Sequence, residues 1–145
     1  MNEKQILRSI RNLLSSGSGS TASGPGDDAA VVALNGTQIA LSSDTIVENT
    51  HFYWEKTAPE LIGRKAAACA LSDIGAMGFV PRYVLLDVGI DRDRSETVPS
   101  IVKGASEFGL SCGCRVAGGD VVQSPVCFVS AAVVGQSGGV PAVLR

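Results

Sequence analysis

Three segments of the chain have apolar residues recurring every three or four positions, the spacing of an amphipathic helix. The first covers residues 3–15, and the second covers about residues 58–77 and ends near Gly78. The third begins in SETVPSIVKGASEF, residues 95–108. The apolar positions of the first segment are Ile6, Leu7, Ile10, Leu13 and Leu14. The pattern therefore predicts three helices.

Strands are predicted where apolar residues alternate or run together. Residues 29–34 and 38–43 flank Asn35-Gly36, the strongest short signal for a hairpin turn. Further strands are expected over residues 83–91, 114–120 and 125–135. The order α, ββ, α, β, α, ββ predicts an α+β fold, with an open mixed sheet of four to five strands and helices on one face.

Two features of this plan allow more than one explanation. Residues 15–26, rich in glycine and serine, are expected to form a flexible loop, either a plain linker or a segment that orders over a ligand. The strand at 125–135 is apolar on both faces and so needs cover on both. It is either a central strand under helices or part of an interface between subunits.

Composition limits the classes of function. The chain of 145 residues has room for one domain, and its net charge of −2 provides no basic surface for nucleic acid or membrane. The charged N-terminal segment does not resemble a secretory signal, so a cytoplasmic protein is expected. With one histidine and no second Cys/His pair at zinc spacing, the four cysteines are expected to be reduced thiols.

Aspartates stand at the ends of several predicted elements. Asp27-Asp28 precedes the hairpin, Asp44 ends a strand, Asp73 lies late in a helix, and Asp120 follows Gly118-Gly119. Each alone is explained by turn or cap chemistry. Together, carboxylate oxygens would suit Mg²⁺, which proteins usually hold with substrate phosphate. The diglycine would allow a nucleotide to approach the backbone closely.

Five segments carry a family resemblance. They are GPGDDAAV at 24–31, SSDTIVENTHF at 42–52, LSDIGAMGFVP at 71–81, GGD at 118–120 and PAVLR at 141–145. Their order and spacing resemble the N-terminal half of thiamine-monophosphate kinase, a member of the aminoimidazole ribonucleotide synthetase and selenophosphate synthetase superfamily. The resemblance implies a single domain over residues 1–145 that binds ATP and Mg²⁺ and forms a homodimer through its sheet, without the family's C-terminal domain.

The resemblance also implies roles for individual residues. Oxygen ligands for several Mg²⁺ ions would come from Asp28, Ser42, Ser43, Asp44, Asp73 and Asp120, with the serines acting partly through backbone carbonyls. ATP would be contacted by Gly119, Asp120 and Arg145. His51 would face thiamine monophosphate, with a simple turn cap as the lesser alternative. No residue is assigned as a catalytic acid or base, because the acceptor phosphate is already anionic.

The sequence departs from the family in three ways. The family's kinase is about twice as long, no aromatic residue stands near Cys112 where one usually lies beside the nucleotide, and the serine-glycine run is longer than expected. Two alternatives therefore stay open beside the kinase: another ATP-using enzyme of the superfamily, and a dimerisation module without activity.

Overall fold

The computed structural model describes residues 2–14, 21–23, 27–139 and 141–143, with the backbone alone for residues 21–23. The helices within these ranges are α1 (Glu3–Leu14), α2 (Pro59–Ala76) and α3 (Val98–Ser111). The strands are β1 (Thr21–Ser23), β2 (Ala30–Leu34), β3 (Thr37–Val47), β4 (Phe79–Ile90), β5 (Arg115–Gln123) and β6 (Phe128–Ser137). The predicted α+β class is confirmed.

The strands form one mixed sheet in the order β1-β2-β3-β6-β4-β5. Neighbouring strands are antiparallel except for β4 and β5, which are parallel. The described residues contain six strands rather than the predicted four to five, because β1 lies inside the segment 15–26 that was predicted to be a loop. An edge strand is held by backbone hydrogen bonds, which a glycine- and serine-rich composition does not reveal. Residues 15–20 and 24–26 lie outside the described residues.

The predicted hairpin is confirmed and decides which side chains of β3 point to which face. Asn35 and Gly36 have φ values of 50° and 80°, the left-handed pair that a tight two-residue hairpin turn requires. Because side chains alternate along a strand, Ser42 and Asp44 share a face with buried Ala40 and Ile46. The turn therefore brings the polar end of β3 to the covered face of the sheet.

The core lies between this face and the two helices that pack on it. Alternate residues of β4 and β6 are buried here, and α2 contributes small side chains that let it lie close to the sheet. The buried residues of the strands include Val84, Leu86, Val88, Val129, Ala131 and Val133, and those of α2 include Ile62, Ala66, Ala67, Ala70 and Ile74. The predicted placement of helices on one face holds for α2 and α3.

The opposite face of the sheet, the open face, is not covered by a helix and carries a group of exposed apolar side chains. Leu41, Val134 and Tyr83 lie in one row across three strands, with Leu85 one row away, and their exposure ranges from 38% to 54%. The strand predicted to be apolar on both faces is thus central in the sheet and covered by helix on one side only. It is therefore a central strand under helices, and its other face is still exposed and could form an interface between subunits.

The first helix forms as predicted but buries none of its residues. Its apolar side chains, Ile6 to Leu14, are all at least 41% exposed. No helix in the described part of the chain is long and apolar enough to cross a membrane.

The two covering helices touch backbone to backbone at a pair of glycines. A Cβ atom on Gly63 would stand 1.8 Å from the carbonyl oxygen of Ile101, and one on Gly104 would stand 1.8 Å from that of Glu60. Even one methyl group at either position would force the helices apart.

We therefore expect Gly63→Ala to destabilise the domain by about 1–3 kcal/mol, the usual cost of overpacking. Gly75→Ala is the matched control, because Gly75 lies in the same helix with no atom within 4 Å of the added Cβ. That change should be neutral or stabilise by up to about 1 kcal/mol through helix propensity. Urea unfolding followed by circular dichroism measures both, and equal midpoints for the two variants would contradict the prediction.

Candidate active site

Three of the predicted site residues meet where the last turn of α2 lies against the middle of β3. The strand continues to Val47, so Asp44 lies inside it and not at its end as predicted. Ser42 Oγ donates a hydrogen bond to Asp73 Oδ2 at 2.9 Å, and it lies 3.4 Å from the backbone carbonyl oxygen of Asp28. Asp73 belongs to the last turn of α2, whereas Asp28 precedes β2. The sheet and the helix thus bring together residues that are 14 and 31 positions apart in the chain.

Asp44 joins this group from two residues further along β3. Its Oδ1 accepts the N–H of Thr45 at 2.8 Å, which fixes the direction of the carboxylate. Cys69, one helical turn before Asp73, lies within reach of both acids. Burial raises the pKa of the Cys69 thiol, and the charges of Asp44 and Asp73 raise it further. Since Ser42 bonds Asp73 and shares its face of β3 with Asp44, both carboxylates lie on the side of the sheet that α2 covers.

The potential metal ligands gathered here are carboxylate, hydroxyl and carbonyl oxygens, the ligand types that suit Mg²⁺. Within the described residues, no three side chains of histidine, cysteine or acidic type are close enough to hold an ion by themselves. This is compatible with Mg²⁺, which proteins commonly bind through one or two carboxylates together with phosphate oxygens. The group consequently fits a metal ion that arrives with a phosphate ligand.

Asp120 is not brought to this group. Register pairs place Gly119 in line with Asp44 through Leu86 and Ala131, three strand spacings or about 14 Å away. Asp120 follows Gly119, pairs with Asp87, and accepts the N–H of Val121 at 2.8 Å. The separation arises because β6 and β4 insert between β3 and β5, an order that the sequence does not display.

Gly119 has a structural reason to be glycine. Its φ of 154° is rare for other residues, and a Cβ atom there would stand 1.9 Å from the carbonyl oxygen of Leu86. Packing against β4 thus accounts for this position without a nucleotide. The site assignments of Gly119 and Asp120 stay predictions, and Arg145 lies outside the described residues.

Ser43 points away from the group. Alternation along β3 places its side chain on the open face, opposite Ala132 of β6. Any contribution of Ser43 to a metal ion would therefore come from its backbone carbonyl, as the resemblance implied.

The only histidine caps a turn. Its Nδ1 accepts the N–H of Val47 at 3.0 Å, so the neutral ring carries its hydrogen on the exposed Nε2. The backbone carbonyl of His51 in turn accepts a hydrogen bond from the ammonium group of Lys65. The turn cap that was the alternative for His51 is therefore present. Substrate binding by His51 stays a prediction, and it is compatible with this cap because the cap uses only Nδ1.

A half-buried ion pair anchors both ends of this turn. Arg94 donates to Glu48 through both terminal nitrogens, at 2.9 and 3.2 Å, and its guanidinium lies 4.6 Å from the centre of the Trp54 ring. The second oxygen of Glu48 also accepts the N–H of Cys127 at 2.7 Å. Residues 48 and 54 are therefore tied to one arginine, with His51 between them.

Sequence reasoning missed Lys65, Glu48 and Arg94. Lys65 lies four residues before Cys69 and eight before Asp73, a spacing that places all three near one helix face and could have identified it. Glu48 and Arg94 are 46 residues apart with no local pattern to link them. Their pairing becomes visible only once β3 and the segment after β4 are placed together.

Comparison with known proteins supports the fold. The family model "AIR synthase related protein, N-terminal domain" matches residues 26–137. A protein of Synechococcus elongatus named thiamine-monophosphate kinase is 36% identical over 112 residues, which is 76% of this chain and 34% of that protein. A protein of the same name from Mycobacterium tuberculosis is 33% identical over 123 residues, covering 84% of this chain and 37% of that one.

A solved structure described as AaThiL complexed with AMPPCP and TMP superimposes with a TM-score of 0.82 at 27% identity, covering 92% of this chain and 41% of that one. The fold and the acidic site define an α+β domain of a kind found in phosphate-handling enzymes. The chain belongs to the AIR synthase related N-terminal domain family. It spans about a third of the length of the curated relatives named above.

The Glu48–Arg94 pair leads to a prediction about acid stability. Hydrogen bonds from Arg94 lower the pKa of Glu48 and outweigh the opposing effect of its burial. A lowered folded-state pKa contributes stability in full above the unfolded value of about 4.3, and this is lost as pH falls through the folded-state pKa. Arg94→Met should thus cost about 1–2 kcal/mol at neutral pH, and the difference from wild type should narrow in acid.

Arg92→Met is the matched control, since Arg92 is exposed and lies with Arg94 in the short 3-10 helix Arg92–Thr97. Urea unfolding of the three proteins between neutral and acidic pH measures the effect. A difference between Arg94→Met and wild type that stays constant with pH would show that Glu48 is not the group stabilised by Arg94.

Proposed function

We propose that this chain is the ATP- and Mg²⁺-binding domain of a thiamine-monophosphate kinase, which transfers the γ-phosphoryl group of ATP to the phosphate of thiamine monophosphate. The observation that carries the proposal is the meeting of Asp28, Ser42 and Asp73, with Asp44 beside them, in a chain whose relatives bear this name. A related structure is described with an ATP analogue and TMP, which supports both substrates.

The chemistry needs little from the protein in the way of proton transfer. The acceptor oxygen is already anionic, so the main barrier is the repulsion between two phosphate groups. Mg²⁺ held by the aspartates would neutralise and align those charges. The hydrogen bond from Ser42 would hold Oδ2 of Asp73 in place, so that Oδ1 of the same carboxylate stays available to a metal ion.

The remaining assignments belong to the same proposal. Gly119, Asp120 and Arg145 would contact ATP from the β5 side and from the end of the chain, and His51 would contact the acceptor. The protein would work in the cytoplasm. The chain spans about a third of the length of these relatives, which are long enough to contain a second domain. Further contacts to both substrates would come from such a domain.

We further propose that the domain forms a homodimer through the open face of its sheet. This face presents a continuous group of apolar side chains, Leu41, Tyr83, Leu85 and Val134, in the middle of the sheet. A second copy, which carries the same apolar group, would cover it by a two-fold arrangement. The side chains of Ser42 and Asp44 lie on the other face of the sheet, so dimer formation would leave these two residues uncovered.

Nucleotide binding tests the kinase proposal. We expect the ATP analogue AMPPCP to bind the wild-type chain only with Mg²⁺ present, and Asp44→Asn or Asp73→Asn to weaken binding at least about tenfold, equivalent to about 1.4 kcal/mol. Asparagine keeps the shape of each side chain but removes its charge. At position 73 it also keeps an oxygen that can accept the hydrogen bond from Ser42. Isothermal titration calorimetry measures the affinities.

Asp93→Asn is the control for loss of one exposed negative charge, since Asp93 lies in a separate 3-10 helix. Unchanged binding in both site variants would exclude these carboxylates from the nucleotide site. A folded wild-type chain that binds no Mg²⁺–AMPPCP would instead favour a dimerisation module without activity.

Replacing one apolar residue on the open face should separate the proposed dimer. Leu85→Arg puts a charge in the centre of the face, where it would be buried unpaired on association. Leu110→Arg is the control, because Leu110 is similarly exposed, 57% against 49%, but lies at the end of α3. Sedimentation velocity should show a dimer for wild type and control and a monomer for Leu85→Arg. A wild-type monomer would contradict the proposal.

A further inference from the structure

Lys65 brings a positive charge to an otherwise acidic part of the molecule. It lies on α2 one turn before Cys69 and two turns before Asp73, which places its Cα about 12 Å from that of Asp73 along the helix axis. Its ammonium group reaches across to the turn after β3 and donates a hydrogen bond to the backbone carbonyl of His51. The lysine therefore connects the acidic group to the histidine turn.

Lys65, Cys69 and Asp73 follow one another at four-residue intervals along one side of α2, and Ser42 links Asp73 to the face of β3 that carries Asp44. The pKa of the Cys69 thiol, raised by burial and by the two acids and lowered by Lys65, agrees with this arrangement. The site thus has carboxylates toward the end of α2 and a cation about two turns earlier. A phosphate placed between them would meet metal-neutralised carboxylates on one side and the ammonium group on the other.

The turn that Lys65 holds is already ordered for binding. The N–H of Val47 fixes the ring of His51, and the N–H of Asn49 donates to the carbonyl of Phe52, a residue buried in the core. Arg94 ties both ends of the turn, as described above. A site built on fixed groups loses little entropy when an anion binds.

Lys65 also has donors to spare. A lysine ammonium group carries three hydrogens, and the carbonyl of His51 accepts one of them. The side chain is exposed, so the other two can meet a ligand. The exposed Nε2–H of His51 is a further donor on the same turn.

We infer that Lys65 is a substrate-positioning residue, which together with the Nε2–H of His51 binds the phosphate group of thiamine monophosphate. The inference rests on the proposed kinase function and adds to it the residue that would orient the acceptor. It assigns Lys65 two tasks: holding the histidine turn through the carbonyl, and supplying charge to the anion.

The test uses the single histidine of the chain as its probe, because its ring Hε1 proton gives one unambiguous NMR signal. Adding thiamine monophosphate to the wild-type chain should shift the ring signal of His51 in a saturable way, while thiamine without phosphate should not. Lys65→Met should weaken this binding at least about tenfold, and Lys65→Arg should restore part of it, since arginine keeps the charge. Affinity should also depend less on ionic strength in Lys65→Met than in wild type.

Lys103→Met is the matched control, an exposed lysine of α3 whose partner Glu107 lies 3.9 Å away on the surface. Affinity within about twofold of wild type in Lys65→Met, or equal shifts from thiamine and its monophosphate, would overturn the inference. So would an unresponsive His51 in the wild-type chain.

Binding of Mg²⁺–AMPPCP, measured on the same samples, separates this inference from the function on which it rests. Normal nucleotide binding with no phosphate-dependent change at His51 would remove the role of Lys65 and leave the kinase proposal standing. A phosphate-dependent change at His51 without any nucleotide binding would support the anion site and contradict the kinase.

Discussion

The close packing of α2 on the sheet is the contact on which the rest of the structure depends. Alanines at 66, 67 and 70 and glycine at 63 let the helix approach both β3 and α3 more closely than larger side chains would. That approach brings Asp73 within 2.9 Å of Ser42 and carries Lys65 to the histidine turn. The same small residues that make the core therefore fix the distances in the candidate site.

Much of this could be predicted from sequence because the signals are local. Asn35-Gly36 specifies its turn by backbone conformation, alternation assigns Ser42 and Asp44 to one face, and helical spacing identifies α2. The parts that were missed depend on distant contacts. The order of the strands separates Asp120 from Asp44, and the pairing of Glu48 with Arg94 joins segments 46 residues apart. Neither leaves a repeating pattern in the chain.

The missed first strand has a different cause. Thr21–Ser23 pairs with β2 through its backbone, so no apolar pattern marks it. Gly119 was linked to a ligand because glycine permits close approach, and the structure shows that the backbone of Leu86 in the neighbouring strand already comes this close. A glycine in a sequence indicates that something comes near the backbone, and only the fold identifies what it is.

One strand serves both proposed surfaces. The side chains of Ser42 and Asp44 face α2, while those of Leu41 and Ser43 face the open side of the sheet. A shift of β3 by a single residue would exchange the two sets, placing Leu41 and Ser43 against α2 and moving Ser42 and Asp44 to the open face. The hairpin turn at Asn35-Gly36 and the nine paired residues between β3 and β6 oppose such a shift. The register of β3 is consequently the feature through which the site and the proposed dimer face are fixed together.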